Sequence, residues 1–180
     1  MIIEQGFHEV SIEAVARVAG VTRPVVYDHF PNLARLLTAL IEREEQLALA
    51  ELEGIIPTDP GDRDPTDVVV GGIARFLDCV EARPDSWRLI LLPLEGTPAI
   101  VREPVEANRA EVLTQIDGLV RWAVERKGAP DGMDVDLTAR AIETLGEEAG
   151  RMVLQDPEQF PKQRYVDFAA WLVRLLWPNG

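Results

Sequence analysis

Apolar residues recur at helical spacing through most of the chain, and glycine and proline, rather than the two-residue alternation of strands, interrupt them. Ser11 stands before Ile12 to Ala19 and Thr22 before Arg23 to Phe30, each placed as a helix N-cap, with Pro24 tolerated in a first turn. Gly6 and Gly20-Val21-Thr22 divide these pieces, because a glycine there can take the positive φ that other residues adopt reluctantly. Asn32 then caps a longer helix whose apolar positions Leu33, Leu36, Leu37, Leu40, Ile41, Leu47, Ala48, Leu52 and Ile55 follow the helical period.

The stretch from Pro57 to Pro65, which also holds Pro60 and Gly61, cannot continue that helix and reads as a linker. Beyond it the pattern predicts helices over Val68 to Ala82, Ser86 to Leu92, Val105 to Lys127, Leu137 to Leu154 and Tyr165 to Trp177, with a loop through Gly96 and Pro98. No set of alternating runs with hairpin turns is present, and no repeat of fixed period, so the expected fold is all-α.

Ile12 to Phe30 fits a helix-turn-helix: a small residue in the first helix, a glycine in the turn, and apolar residues that lock two short helices at a steep angle. Val15, Ala16 and Ala19 are expected to face Val21, Val26 and Phe30, leaving Arg23, Pro24, Tyr27 and His29 for a groove or for phosphates. The same pattern also describes a buried helical corner with no ligand. The division that follows is an N-terminal three-helix helix-turn-helix domain over residues 1–41, its first helix short, and a helical ligand-binding and dimerisation domain over 42–180.

Composition changes this picture in three places. The net charge of −13 argues against DNA, yet residues 1–41 are close to neutral, with Arg17, Arg23 and Arg35 set against Glu4, Glu9, Glu13 and Asp28. Cys79 is the only cysteine, so no intramolecular disulfide can form, and neither a membrane span nor a signal peptide is visible; the expected place is the cytoplasm. Both histidines, His8 and His29, lie in the first module, and there is no nucleophile elbow, phosphate loop, dinucleotide fingerprint or Cys/His cluster. The expectation is therefore no enzyme, no metal and no cofactor. Glu143, Glu147 and Glu148 read as a solvated helix face.

Gly6 through Thr22, followed by Val25-Val26-Tyr27-Asp28-His29-Phe30 and Leu36-Leu37, resembles the opening of the TetR family of repressors. The resemblance implies that Thr22 sits near a phosphate, that Arg23 and Pro24 approach base edges, and that Tyr27 and His29 touch base or backbone. With Ser11 these are the candidate DNA contacts. Three departures stand out: Leu33 where the family often has a phosphate-binding lysine, Asp28 where a neutral aromatic is common, and only Met1 to Gln5 before Gly6. The first two predict lower affinity for the DNA backbone.

In the second half Phe76, Trp87, Leu91 and Trp122, with Asn108 and Gln115 as the nearest polar groups, are candidates to line a pocket for a small, mainly apolar effector; ordinary core packing is the alternative. The acidic body favours a neutral or cationic ligand over an anionic one. Gly146 and Gly150, at i, i+4, would let another helix approach closely. The last helix carries one stripe of Tyr165, Phe168, Ala169, Leu172 and Leu176 and another of Val166, Ala170, Val173 and Trp177, so it needs two partners. The expected homodimer interface takes Gly146, Gly150, Val166, Ala170, Val173 and Trp177. The resulting expectation is a ligand-responsive regulator, a repressor that binds a palindromic double-stranded operator as a dimer and does not enter a membrane. A helical adaptor that has lost DNA binding, or a small helical enzyme, are the alternatives.

Overall fold

The structure is a computed structural model that describes residues 2–92 and 99–177, and among these every regular element is helical. Helix α1 (Ile2–Gln5) is one turn long; Gly6, at φ 76°, breaks it, and a 3-10 turn at Phe7–Glu9 leads to α2 (Ile12–Ala19). Ser11 Oγ accepts the Ala14 N–H at 3.1 Å and starts α2. Gly20, at φ 68°, ends it by donating its N–H to the Ala16 and Arg17 carbonyls. Then comes α3 (Arg23–His29), followed by α4 (Leu33–Glu53), where Asn32 Oδ1 accepts the Arg35 N–H at 2.9 Å.

After the linker come α5 (Pro65–Ala82), α6 (Pro84–Leu91), α7 (Ala99–Lys127), α8 (Val135–Gln155) and α9 (Lys162–Leu176). The loop expected through Gly96 and Pro98 lies outside the described residues.

Three apolar clusters hold these helices. Ile12, Ala16 and Val26 lock α2 to α3, with Phe30, Leu33 and Leu36 against them. Ala19 and Val21 take no part in this lock; both are exposed, because the tight turn carries them over the outside of the corner. Phe7, Val10, Leu37 and Ile41 form a second cluster, which also receives Leu89 from α6. The third and largest joins Ala48 of α4 to Leu77, Val80, Trp87, Leu91, Ala149, Val153 and Leu154. Helix α4 thus serves the N-terminal module with Leu37 and Ile41 and the body with Ala48 and Leu52.

The middle of α4 departs from the expected stripe. Leu47 is exposed, while Glu44 and Glu45 are buried. The side chains enclosed between these two clusters therefore include a pair of carboxylates, at positions outside the apolar stripe expected from the sequence. Glu44 is satisfied: Oε2 accepts the Ser86 hydroxyl at 2.6 Å and the Arg83 guanidinium at 3.0 Å, and Arg43 reaches Oε1. Arg83 also donates to Glu51 at 2.6 Å, so the α5–α6 junction is tied to α4 at two points about two turns apart.

Candidate functional site

Helix α3 presents most of its residues to solvent. Val26 alone of this helix is buried, and it anchors the helix against α2, so Arg23, Pro24, Tyr27, Asp28 and His29 are all exposed. Thr22 occupies the N-cap with an extended backbone, but its hydroxyl makes no capping bond and stays available to a ligand. Arg23 pairs with Glu13 of α2. Ser11 is occupied instead as the cap of α2 and is half-buried. Leu33 packs against the Val26 cluster, which accounts for an apolar residue at a position where the resembling family often has lysine.

A cavity of about 170 Å³ lies between α4, α5, α6, α7 and α8. Phe76, Trp87, Leu91 and Asn108 line it, as expected from the sequence, and Ala48, Leu49 and Leu52 bring α4 into its wall. Trp122 is not among the lining residues. The inward stripe of α7 is Val112, Ile116 and Leu119; Trp122 sits off it, half-buried, with the Arg126 guanidinium 5.9 Å from its ring centroid. Gln115 is off the stripe as well.

Sequence reasoning missed the charged groups of this cavity. Glu45, Arg109, Glu143 and Glu147 all line it. Of the three carboxylates taken as a solvated face, only Glu148 is exposed; Glu147 turns inward to pair with Arg109 and with Arg151, both at 2.6 Å. Burial, and then the charge of Glu147, push the Glu143 carboxyl above its usual range. Glu45 is only 5% exposed, and among the described residues its Oε1 has no hydrogen-bond partner. Burial first, and the nearby Glu42 second, raise its pKa to about 7. The Trp87 Nε1–H is likewise buried and unpartnered, its ring held edge-on to Phe76 at 5.2 Å. The only sequence signal for Glu45 was its spacing, one turn before Ala48 and Leu49.

The helix faces expected to meet a second subunit are partly used within the chain. A Cβ on Gly150 would stand 2.7 Å from Leu91 Cδ1 and 3.2 Å from Phe76 Cζ, and one on Gly146 would stand 3.8 Å from Ile73 Cδ1. These glycines admit α5 and α6 of the same chain. Val173 is buried within the chain, and Lys162, at the head of the stripe that runs through Val166 and Ala170, pairs with Asp78 of α5. Trp177 donates its indole N–H to the Gly128 carbonyl at 2.9 Å. What remains outside is a different apolar face: Leu137 and Leu145 on α8, and Phe168, Trp171, Leu175 and Leu176 on α9 are all exposed, beside a cleft between the two helices.

Among the described residues no helix is long and apolar enough to cross a membrane. Residues 1–40 match the profile of the bacterial regulatory proteins, tetR family. The HTH-type transcriptional regulator EthR of Mycolicibacterium smegmatis is 24% identical over 152 residues, spanning 84% of this chain and 69% of that protein. The crystal structure of a TetR-like transcriptional regulator from Rhodococcus sp. RHA1 superposes with a TM-score of 0.74 at 23% identity, covering 97% of this chain and 88% of that one. FadR from Bacillus subtilis in complex with stearoyl-CoA superposes with a TM-score of 0.72 at 17% identity, covering 99% and 94%.

Proposed function

We propose that the chain, whose residues 1–40 match the tetR family profile, is a transcriptional regulator of that family, a repressor whose homodimer binds a palindromic operator and whose cavity holds the small molecule that sets DNA affinity. The observation that carries this reading is the continuity of α4. It starts directly after α3, puts Leu37 and Ile41 into the core of the helix-turn-helix module, and puts Ala48, Leu49 and Leu52 into the cavity wall. A second link runs through α6, which lines the cavity with Trp87, Ile90 and Leu91 while Leu89 packs on the N-terminal cluster. An occupant that separates α4 from α6 moves the recognition helix of each subunit, and so the spacing of the two across the dimer.

In this reading α3 enters the major groove, with Arg23 at a base edge and Thr22 and Tyr27 beside it. Arg23 must leave Glu13 to do so. The second subunit covers the exposed apolar face of α8 and α9, where Leu137, Leu145, Phe168, Trp171, Leu175 and Leu176 stand in water. A C2 dimer sets two identical α3 helices about one DNA turn apart, or a multiple of it, so the operator is palindromic.

Selection from a pool of random duplexes tests this. The expected result is an enriched palindrome whose binding weakens steeply with salt. Failure to enrich any sequence, with the protein folded and dimeric, overturns the reading in favour of an adaptor that has lost DNA binding.

A further inference from the structure

The effector reading of the cavity leaves open what chemistry the effector has, and the cavity's polar groups narrow it. Its lining is apolar apart from Asn108, the Arg109–Glu147 pair, Glu143 and Glu45. Arg109 is the one cation among the lining residues described, and Glu147 already holds it. The two remaining carboxylates have no such partner: Glu143 has no ion pair among the described residues, and Glu45 Oε1 lacks even a hydrogen bond. An unpaired buried carboxylate is costly to leave without a partner. Its neighbour Glu44 shows the contrast, being one residue away, as deeply buried, and held by Ser86, Arg43 and Arg83.

We propose that the cavity takes a lipophilic amine, with the apolar body among Leu49, Leu52, Ile73 and Phe76 and the ammonium group on the Glu45 carboxylate. This rests on the reading of the cavity as an effector site. An anionic ligand has no unengaged cation to meet among the described lining residues and would add to the charge of Glu45, Glu143 and Glu147. A hydroxyl, ether or carbonyl oxygen on the same molecule would complete the Trp87 Nε1–H. The cavity of about 170 Å³ is near the ~150 Å³ that accommodates a benzene ring in an engineered protein core. A single ring fits as the helices stand, and a larger body must spread them.

The groups that face Glu45 set a pH dependence. Glu42 lies on its own helix, Arg109 comes from α7, and Glu143 and Glu147 come from α8; α5 and α6 contribute no charged group to the lining. With its carboxyl raised to about 7, Glu45 carries a proton for much of the time at pH 6 and must lose it to meet an ammonium group. Amine affinity should therefore rise roughly tenfold between pH 6 and pH 8 and then level off, while a neutral ligand shows no such rise.

Three probes with the same body test the inference by calorimetry on the full chain: 4-phenylbutylamine, 4-phenylbutan-1-ol and 4-phenylbutyrate. The expected result is an amine at least tenfold tighter than the alcohol at pH 8, with the carboxylate weakest. At pH 7, titrations in two buffers of different ionisation enthalpy should show proton release with the amine alone, a readout that needs no variant. In Glu45→Gln the advantage of amine over alcohol should collapse. Equal binding of all three probes, or a carboxylate as tight as the amine, overturns the amine inference while leaving an effector cavity in place. Binding of none overturns the effector reading and the inference together.

Discussion

Replacing Arg83 with Met removes the centre of the strut that ties α4 to the α5–α6 junction while keeping a side chain of similar length. Lost with the guanidinium are the bonds to Glu51 at 2.6 Å, Glu44 at 3.0 Å and Ser86 at 3.0 Å. Breaking a fully buried ion pair costs about 3–5 kcal/mol, chiefly because the partner charge is left uncompensated. Here the cost is smaller. The Arg83 and Glu51 side chains are 29% and 25% exposed, so water screens part of the interaction, and Glu44 keeps Ser86 and Arg43. A loss of about 2–3 kcal/mol results, which for a chain of this size lowers Tm by about 4–12 °C. Thermal unfolding followed by far-UV circular dichroism at one fixed protein concentration measures it.

The pH dependence of this variant has a definite sign. Burial acts to raise the Glu44 pKa, but the hydrogen bonds from Ser86 and Arg43 and the charges of Arg43 and Arg83 outweigh it and leave the carboxyl below its usual range. A group depressed in the folded state stabilises above its unfolded pKa and loses that contribution as pH falls through the folded one. The gap between wild type and Arg83→Met should therefore be full at pH 7 and shrink at pH values below about 4.3, the ordinary glutamate value. A Tm change under 1 °C at pH 7, or a gap that widens in acid, refutes the assignment of this network as a stabilising strut.

Arg23→Ala should cost ~1–3 kcal/mol of operator affinity and relax base preference at one position per half-site; equal weakening on all sequences in a binding competition would make Arg23 a phosphate anchor instead. Glu13→Gln removes the competing partner of Arg23 and should tighten the same binding isotherm. Leu145→Glu places a charge on the exposed face of α8 and should halve the mass in sedimentation without loss of helicity, whereas a charge at Val173, buried in its own subunit, should unfold the chain. Gly150→Ala drives a methyl group into Leu91 and Phe76; overpacking of ~1–3 kcal/mol, offset by ~1 kcal/mol of helix propensity, leaves a net loss of up to about 2 kcal/mol in urea unfolding.

The helix-turn-helix module was legible because its signals are local. Ser11, Gly20 and Asn32 act within four residues of their own positions, and a cap or a left-handed turn does the same thing wherever the helix later packs. The body was legible as a set of helices but not in its facings. α4, α8 and α9 each meet neighbours on more than one side, so period alone does not say which stripe goes inward. Glu44 and Glu45 lie outside the apolar stripe expected for α4, and nothing local marks them as buried, because Ser86, Arg83 and the cavity that surround them are distant in sequence. Gly146 and Gly150 announced a close approach, but that α5 and α6 of the same chain come close there depended on tertiary contacts. Trp122 failed as a cavity residue for the same reason, since α7 turns Val112, Ile116 and Leu119 inward and leaves it to the side.

In the proposed function the cavity and the recognition helices form one coupled device through α4. Fluorescence anisotropy of the selected duplex, titrated with protein in the absence and presence of saturating 4-phenylbutylamine, tests it most directly. Coupling displaces the isotherms by roughly 5-fold or more, and by linkage changes amine affinity by the same factor when DNA is bound. Superimposed isotherms, with calorimetry showing the amine bound in the cavity, would contradict it.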